Sequence, residues 1–247
     1  MTIGAGLTDK GLVREMNEDA FFISIDDNGQ AFAMVADGMG GHQAGEVASN
    51  MACQIISEHI LTGMQPGNSD CEELLYEAIE KANQAIYHKS LEDVHKHGMG
   101  TTIVSVIATG YSLWVAHVGD SRLYLLHNGQ LQPLTSDHSH VQSLVNEGLI
   151  TPAEARIHPK RNIILRALGT DHDVEIDYAE FQWQAGDQLL LCSDGLSNML
   201  DDLQIRDILM SSHSPLEQLR QCIDAANQAG GDDNITAIIL HNMSAEI

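Results

Sequence analysis

The spacing of apolar positions changes period several times along the chain, and each change marks a new element. Residues 20–27 (AFFISIDD) and 30–37 (QAFAMVAD) are short, apolar-rich blocks on either side of Asn28-Gly29, the pattern of a β-hairpin. From residue 46 the apolar positions fall three and four apart, in 46–61 (EVASNMACQIISEHIL) and 71–94 (CEELLYEAIEKANQAIYHKSLEDV). That period predicts two amphipathic helices joined by a turn at 63–70. Strand character returns at 100–109, 111–120 and 121–134, which read as a meander with turns at Thr109-Gly110 and Asn128-Gly129. Two further blocks, 174–183 and 187–195, read as another strand pair. Helical spacing in 201–211 and 214–230 precedes a closing strand at 234–241. No repeat, linker or low-complexity tract intervenes. Hairpins grouped apart from helix pairs, without βαβ alternation, predict an α+β layered domain built on antiparallel sheets.

Composition narrows what such a domain does. A chain of 247 residues can bury one sizeable core, and it reads as a single domain over 1–247. Its hydrophobic content of 43% is ordinary, but a net charge of -23 with only 12 lysines and arginines is not. A nucleic-acid binder needs a basic face and an anionic membrane repels an acidic protein, so neither partner is expected. The start of the chain has neither the basic segment nor the apolar stretch of a signal peptide, and the expected compartment is the cytoplasm. Cys53, Cys71, Cys192 and Cys222 form no CxxC pair and read as buried reduced thiols.

The chemistry shows in where the acids fall. Three apolar blocks end on an aspartate: AMVAD at Asp37, WVAHVGD at Asp120 and LLLCSD at Asp194. GDDN, with Asp232 and Asp233, precedes the last strand, and REMNED precedes the first long one. Any one of these fits a turn cap. Together, at the ends of core strands and with few cations to pair them, they suit a hard divalent ion, because an isolated buried carboxylate is costly. Other routes are excluded by spelling. Glu46 and Val47 stand where a phosphate-binding loop needs lysine and serine or threonine, and no cysteine has an arginine six positions on. Ser193 and Ser121 lack the flanking glycines of a serine-hydrolase elbow, which leaves water activated by metal.

As a set, in order, RxxNED (Arg14–Asp19), DGMGGH (Asp37–His42), GMGTT (Gly98–Thr102), VGDSR (Val118–Arg122), LTSDHS (Leu134–Ser139), RALG (Arg166–Gly169), LCSDGLSN (Leu191–Asn198) and GDDNIT (Gly231–Thr236) resemble the bacterial metal-dependent type 2C serine/threonine protein phosphatases, the PPM family. The resemblance runs from about Gly6 to Leu240 and implies a four-layer α-β-β-α sandwich with two central antiparallel sheets and a small flap subdomain at about 134–166. It further implies that Asp37 bridges two tightly held Mn²⁺ or Mg²⁺ ions, that Asp194 and Asp233 complete one, and that the Gly38 carbonyl completes the other. Glu18 and Asp19 would hold waters on the metals, and Asp120 with Asp194 would hold a third, weaker ion. Arg14 would grip the phosphate, and His42 would protonate the leaving alkoxide. The implied substrates are phosphorylated proteins, supplied by an opposing serine/threonine kinase.

Within 134–166, HVQSLVNEGL has helical spacing, and TPAE supplies a capping box with Thr151 as N-cap and Glu154 reaching back. Arg156, Lys160, Arg161 and Arg166 crowd near its end, with His158 among them. His158, Lys160, Arg161 and Arg166 read as a substrate-steering patch on an acidic protein, or as plain charge balance. His138 and His140, an HxH pair, read as surface or loop residues. Two alternatives stand beside catalysis on proteins: a non-catalytic phosphatase-fold binding module, and a hydrolase of small phosphate esters. A degenerate module would be expected to lack one of Asp37, Asp194 or Asp233, and all are present.

Overall fold

In strand β3, Ala31–Met39, alternation runs inside an unbroken apolar block. Phe32, Met34 and Ala36 enter one buried cluster, whereas Ala31, Ala33 and Val35 enter another. A strand buried on both faces is the middle of a layered stack, and its sequence is apolar throughout rather than apolar at every second position. Strand β10, Gln188–Cys192, behaves alike: Leu189 and Leu191 face the cluster shared with Val35, and Leu190 and Cys192 face a third.

The computed structural model describes residues 1–40, 44–64, 70–92 and 98–243. Two antiparallel sheets pack face to face. One runs β1 (Thr2–Asp9), β11 (Ile235–Asn242), β10, β7 (Arg122–His127), β8 (Gln130–Pro133). The other runs β2 (Asp19–Ile25), β3, β5 (Ile103–Thr109), β6 (Ser112–Val118), β9 (Asp177–Gln182), with the short β4 (Gly100–Thr101) paired to β3. Val35, Val104, Leu123, Leu191 and Ile238 fill the space between the sheets. Each such side chain, fully buried, contributes about 1.5–3 kcal/mol relative to exposure.

Helices cover the outer faces. Helices α1 (Ala44–Gly63) and α2 (Cys71–Glu92) place Ala48, Ala52, Ile56, Ile79 and Ile86 on the β3 sheet. On the other sheet, α5 (Asp194–Ser197), α6 (Asp202–Leu209) and α7 (Pro215–Gln228) bring Leu196, Ile205, Leu209, Leu219 and Ile223 against β10 and β11. The order is thus helix, sheet, sheet, helix, as expected. Segment 134–166 stands at one end and holds α3 (His140–Asn146) and α4 (Pro152–Arg156). Thr151 and Glu154 form the expected reciprocal capping box, and Pro152 occupies the first turn.

Three expectations need correction. The meander over 100–134 is broken: β6 pairs with β5 and β9, β7 pairs with β8 and β10, and the chain passes from one sheet to the other between Val118 and Arg122. Blocks 174–183 and 187–195 likewise do not pair with each other, for β9 joins β6 and β10 lies between β11 and β7. Strands apolar on both faces carry no mark of which sheet they enter. The N-terminal strand β1 was not expected, because glycines weaken its pattern. They are required: a Cβ on Gly6 would overlap the Phe21 ring, and one on Gly4 would sit 2.6 Å from Leu240 Cδ2.

The stack has two unlike ends. Tight turns at Gly29, Gly110 and Asn128-Gly129, all with positive φ, close the hairpins at one end. Asp19, Asp37, Asp120, Asp194 and Asp233 all lie where strands stop at the other.

Candidate active site

Backbone register gathers the acids. Asp19 and Asp37 are direct partners across β2 and β3. Asp37 is held on both backbone groups: its N–H donates to Thr102 Oγ1 at 3.0 Å, and its carbonyl accepts from Thr102 N at 2.9 Å and Thr101 Oγ1 at 2.9 Å. Thr102 in turn bonds Ser121 beside Asp120 at 2.7 Å, which links the β3 end to the crossing between sheets. From the opposite sheet come Asp194, in the first turn of α5, and Asp233, just before β11. Ser193 ties the halves together by donating to Asp19 Oδ2 at 2.8 Å while its Oγ accepts from Thr236 N at 3.0 Å. The glycines after Asp37 permit close approach. A Cβ on Gly38 would collide with the Gly45 carbonyl, so the β3 end and the start of α1 meet only because neither residue has a side chain.

The arrangement is electrostatically unsatisfied as it stands. Glu18 Oε1, Asp19 Oδ1, Asp120 Oδ1 and Asp194 Oδ1 are buried without a hydrogen-bond partner. Burial, then the charges of Asp19 and Asp194, holds the Asp37 carboxyl well above its usual range. Burial and Asp194 do the same for Asp120. Burial raises Asp19 to about 7, against the hydrogen bonds from Thr236 and Ser193, and burial with Asp233 raises Asp194 to about 6. Glu18 is raised by burial more than Arg14 lowers it. Buried, unpartnered carboxylate oxygens from both sheets, with no thiolate among them, fit hard divalent cations. Arg14 reaches the same cluster: its Nη2 donates to Asp233 Oδ2 at 2.6 Å.

A cavity of about 450 Å³ opens beside these acids. Asp120 and Asp194 lie at its wall, Val141, Val145 and Pro152 supply apolar lining from segment 134–166, and Arg161 also borders it. Residues 10–234 match the family model of protein phosphatase 2C. The chain belongs to the protein phosphatase 2C family. It is 41% identical over 239 residues to the serine/threonine phosphatase stp of Listeria welshimeri, covering 94% of this chain and 93% of that one. The crystal structure of the Mycobacterium tuberculosis serine/threonine phosphatase PstP/Ppp superposes with a TM-score of 0.90 at 39% identity, over 98% of this chain and 99% of that one. The catalytic domain of PstP in complex with two manganese ions is similar too, with a TM-score of 0.87, 36% identity, and coverage of 98% and 99%.

Against this phosphatase 2C frame, Arg14, Glu18, Asp19, Asp37, Gly38, Asp120, Asp194 and Asp233 all lie at the one carboxylate-bearing end. His42, expected as the general acid, lies outside the described residues. The steering patch divides. Lys160 and Arg161 are exposed, and His158 accepts from Lys160 N at 3.2 Å. Arg166 pairs with Asp177 at 2.8 Å and Glu175 at 2.9 Å. Arg156 donates to the carbonyls of Ser197 and Leu200 behind α5.

Sequence reasoning missed several organisers of the site. Asn234 accepts from Glu18 N at 2.8 Å and donates to the carbonyls of Lys10 and Met16, fixing the acidic N-terminal segment against the β11 loop. Arg122 makes a two-pronged bond to Asp137 at 2.8 and 2.7 Å. His138 lies in a loop, as one half of the surface-or-loop reading had it, but it is buried there and stacks on His117 with ring centroids 4.6 Å apart. An asparagine after paired acids is a turn signal, and it gives no sign of long-range partners.

Proposed function

We propose that this chain is a metal-dependent protein serine/threonine phosphatase, hydrolysing phosphoserine and phosphothreonine in proteins. The observation that carries the reading is the Asp37-centred cluster, in which buried carboxylate oxygens from two sheets lack partners. Family membership supports it. The roles we assign are those the resemblance implies: Asp37 shared between two Mn²⁺ or Mg²⁺ ions, Asp194 and Asp233 on one, the Gly38 carbonyl on the other, Glu18 and Asp19 on associated waters, and Asp120 with Asp194 on a third, weaker ion. Such ions supply Lewis acidity, activating water for in-line attack and offsetting phosphoryl charge. Arg14 holds Asp233 here, and its planar donors match phosphate oxygens equally well once Asp233 serves a metal. The Thr101, Thr102 and Ser193 bonds keep the carboxylates aimed.

The cavity beside Asp120 and Asp194 favours a protein over a small ester, because it continues past the acids onto α3 and α4. An opposing serine/threonine kinase is the partner this substrate class requires. The free cysteines fit a reducing compartment, and the cytoplasm is the location we infer. Among the described residues, no helix is long and apolar enough to cross a membrane.

Phosphoserine and phosphothreonine peptides are expected to be hydrolysed with Mn²⁺ or Mg²⁺ and not in chelator. Undiminished turnover in chelator overturns the reading. Lys160 and Arg161 bear on substrate approach at net charge -23. Neutralising both is expected to raise KM for phosphoproteins roughly 3- to 10-fold at low salt, leaving p-nitrophenyl phosphate unaffected. An unchanged KM across several phosphoproteins would assign the pair to charge balance.

A further inference from the structure

His117, His138 and Asp177 bring their ligand-capable atoms within 4.8 Å of one another. Hydrogen-bond parity argues against a metal there. Gly119 N–H donates to His138 Nδ1 at 3.1 Å, so the lone pair of this ring is at Nδ1 and its proton is at Nε2. Nε2 lies 3.3 Å from Asp177 Oδ2, which wants a proton, and at the longer distance of 3.4 Å from Arg166 Nη1, itself bonded to Asp177. His117 Nε2 meets the Ser136 carbonyl at 3.0 Å and must donate. Its ring lies against that of His138 at an interplanar angle of 26°, so their in-plane lone pairs do not converge. A metal would displace the Gly119 bond. Burial and the neighbouring His117 also keep His138 from charging.

The cluster makes better sense as a joint. His138 grips Gly119 twice, through Gly119 N–H to the ring and its own N–H to the Gly119 carbonyl at 2.9 Å. Gly119 has φ +108, and a Cβ there would sit 2.6 Å from Thr102 Cγ2. It is the residue before Asp120, at the point where the chain changes sheet. The carbonyl of His138 accepts Leu165 N at 2.7 Å, at the exit of segment 134–166. Its Nε2 partner Asp177 also holds Arg166. This residue therefore joins three things: its ring ties the corner that aims Asp120 to β9, and its backbone carbonyl holds the return of segment 134–166.

We propose that His138 is a positioning residue that couples segment 134–166 to Asp120, setting the affinity of the weaker metal site through the Gly119 backbone. The inference rests on reading Asp120 as a metal ligand. Two variants test it. His138→Asn keeps an acceptor where Nδ1 stands, and His138→Gln moves its amide outward to where Nε2 stands. In calorimetric Mn²⁺ titration of the whole protein, His138→Gln is expected to weaken the low-affinity site about 10-fold with the two tight sites unchanged, and His138→Asn to retain most of it. In the metal-free protein, the Gly119 and Leu165 amides are expected to exchange hydrogen faster together in His138→Gln and to stay near wild type in His138→Asn.

Equal behaviour of the two variants, or unchanged exchange at both amides in His138→Gln, overturns the proposal. Tight Zn²⁺ binding abolished by either variant and by His117→Ala overturns it in favour of a metal site. Asp120→Ala is the control: if it leaves the weak ion bound, the reading of Asp120 fails. The joint then stands or falls on the amide exchange alone.

Discussion

Asp37→Ala is expected to lower kcat/KM for phosphopeptides by on the order of a thousandfold or more. Asp37 stands at the centre of the cluster, with Asp19, Asp194, Asp120 and Asp233 all close enough to raise its pKa. A ligand shared by two ions cannot be lost without disturbing both, and Lewis-acid stabilisation is worth several kcal/mol, where about 1.4 kcal/mol is tenfold. The fold should survive, because the backbone groups of Asp37, which Thr101 and Thr102 hold, are untouched. The measurement is steady-state hydrolysis at saturating Mn²⁺ alongside calorimetry. Retention of even a tenth of wild-type kcat/KM with both tight ions bound would remove Asp37 from its central role.

Without metal, Asp37→Asn is expected to be more stable than the wild type at pH 8 and little different at pH 4. The sign follows from linkage. Asp19 and Asp194 are raised in the folded state to about 7 and about 6 from an unfolded value near 3.8, and burial also holds Asp37 well above that value. A raised carboxyl contributes stability that is fully present below the unfolded pKa and is lost as pH rises through the folded one. The metal-free wild type therefore weakens from about pH 4 to pH 7, as the unfolded chain gives up protons that the folded cluster retains, and removing one carboxyl relieves the rest. Metal reverses the trend. At a hundred times its Kd a single ion adds about 2.7 kcal/mol, or roughly 5–10 °C in Tm for a chain of this size, and this gain belongs above pH 7, where protons no longer compete. Calorimetric unfolding of both proteins, with Mn²⁺ and with chelator, checks it. A metal-free Asp37→Asn no more stable than wild type at pH 8 would mean that the carboxylates do not repel as placed.

The acids were legible because their signal is local: an apolar block that ends on Asp37 or Asp194 places a carboxylate at the rim of a core, whichever sheet the block joins. The helices α1 and α7 were legible through their period, and the capping box of α4 through its spelling. Sheet membership was not, because Leu189–Leu191 and Val106–Ala108 are apolar on both faces and would suit any interior strand. The joint at His138 was invisible for another reason. Whether a histidine is buried and which nitrogen bears its proton depend on Gly119, His117 and Asp177, three residues from two other stretches of chain, so HxH reads like any loop. The ion pairs of Arg166 were hidden in the same way: the sequence sets it a few residues after Lys160 and Arg161, and its neighbours in space are Glu175 and Asp177.

The first and last described residues, Met1 and Met243, lie side by side and far from the acids. Met1 and Met243 exchange backbone bonds, Met1 N to Met243 O at 3.2 Å and Met243 N to Met1 O at 2.9 Å, and β1 pairs with β11 from Thr2 opposite Asn242 to Asp9 opposite Ile235. Asp9 and Ile235 lie toward the carboxylate rim, so Met1 and Met243 sit at the hairpin end. A tether joined ahead of Met1, whether an added domain or an engineered tag, would start from the rear of the sandwich with its mouth pointing away from the anchor. Docked that way, the enzyme would sweep its catalytic face through the surrounding volume, and the length of the leash would decide which phosphorylated neighbours come within reach.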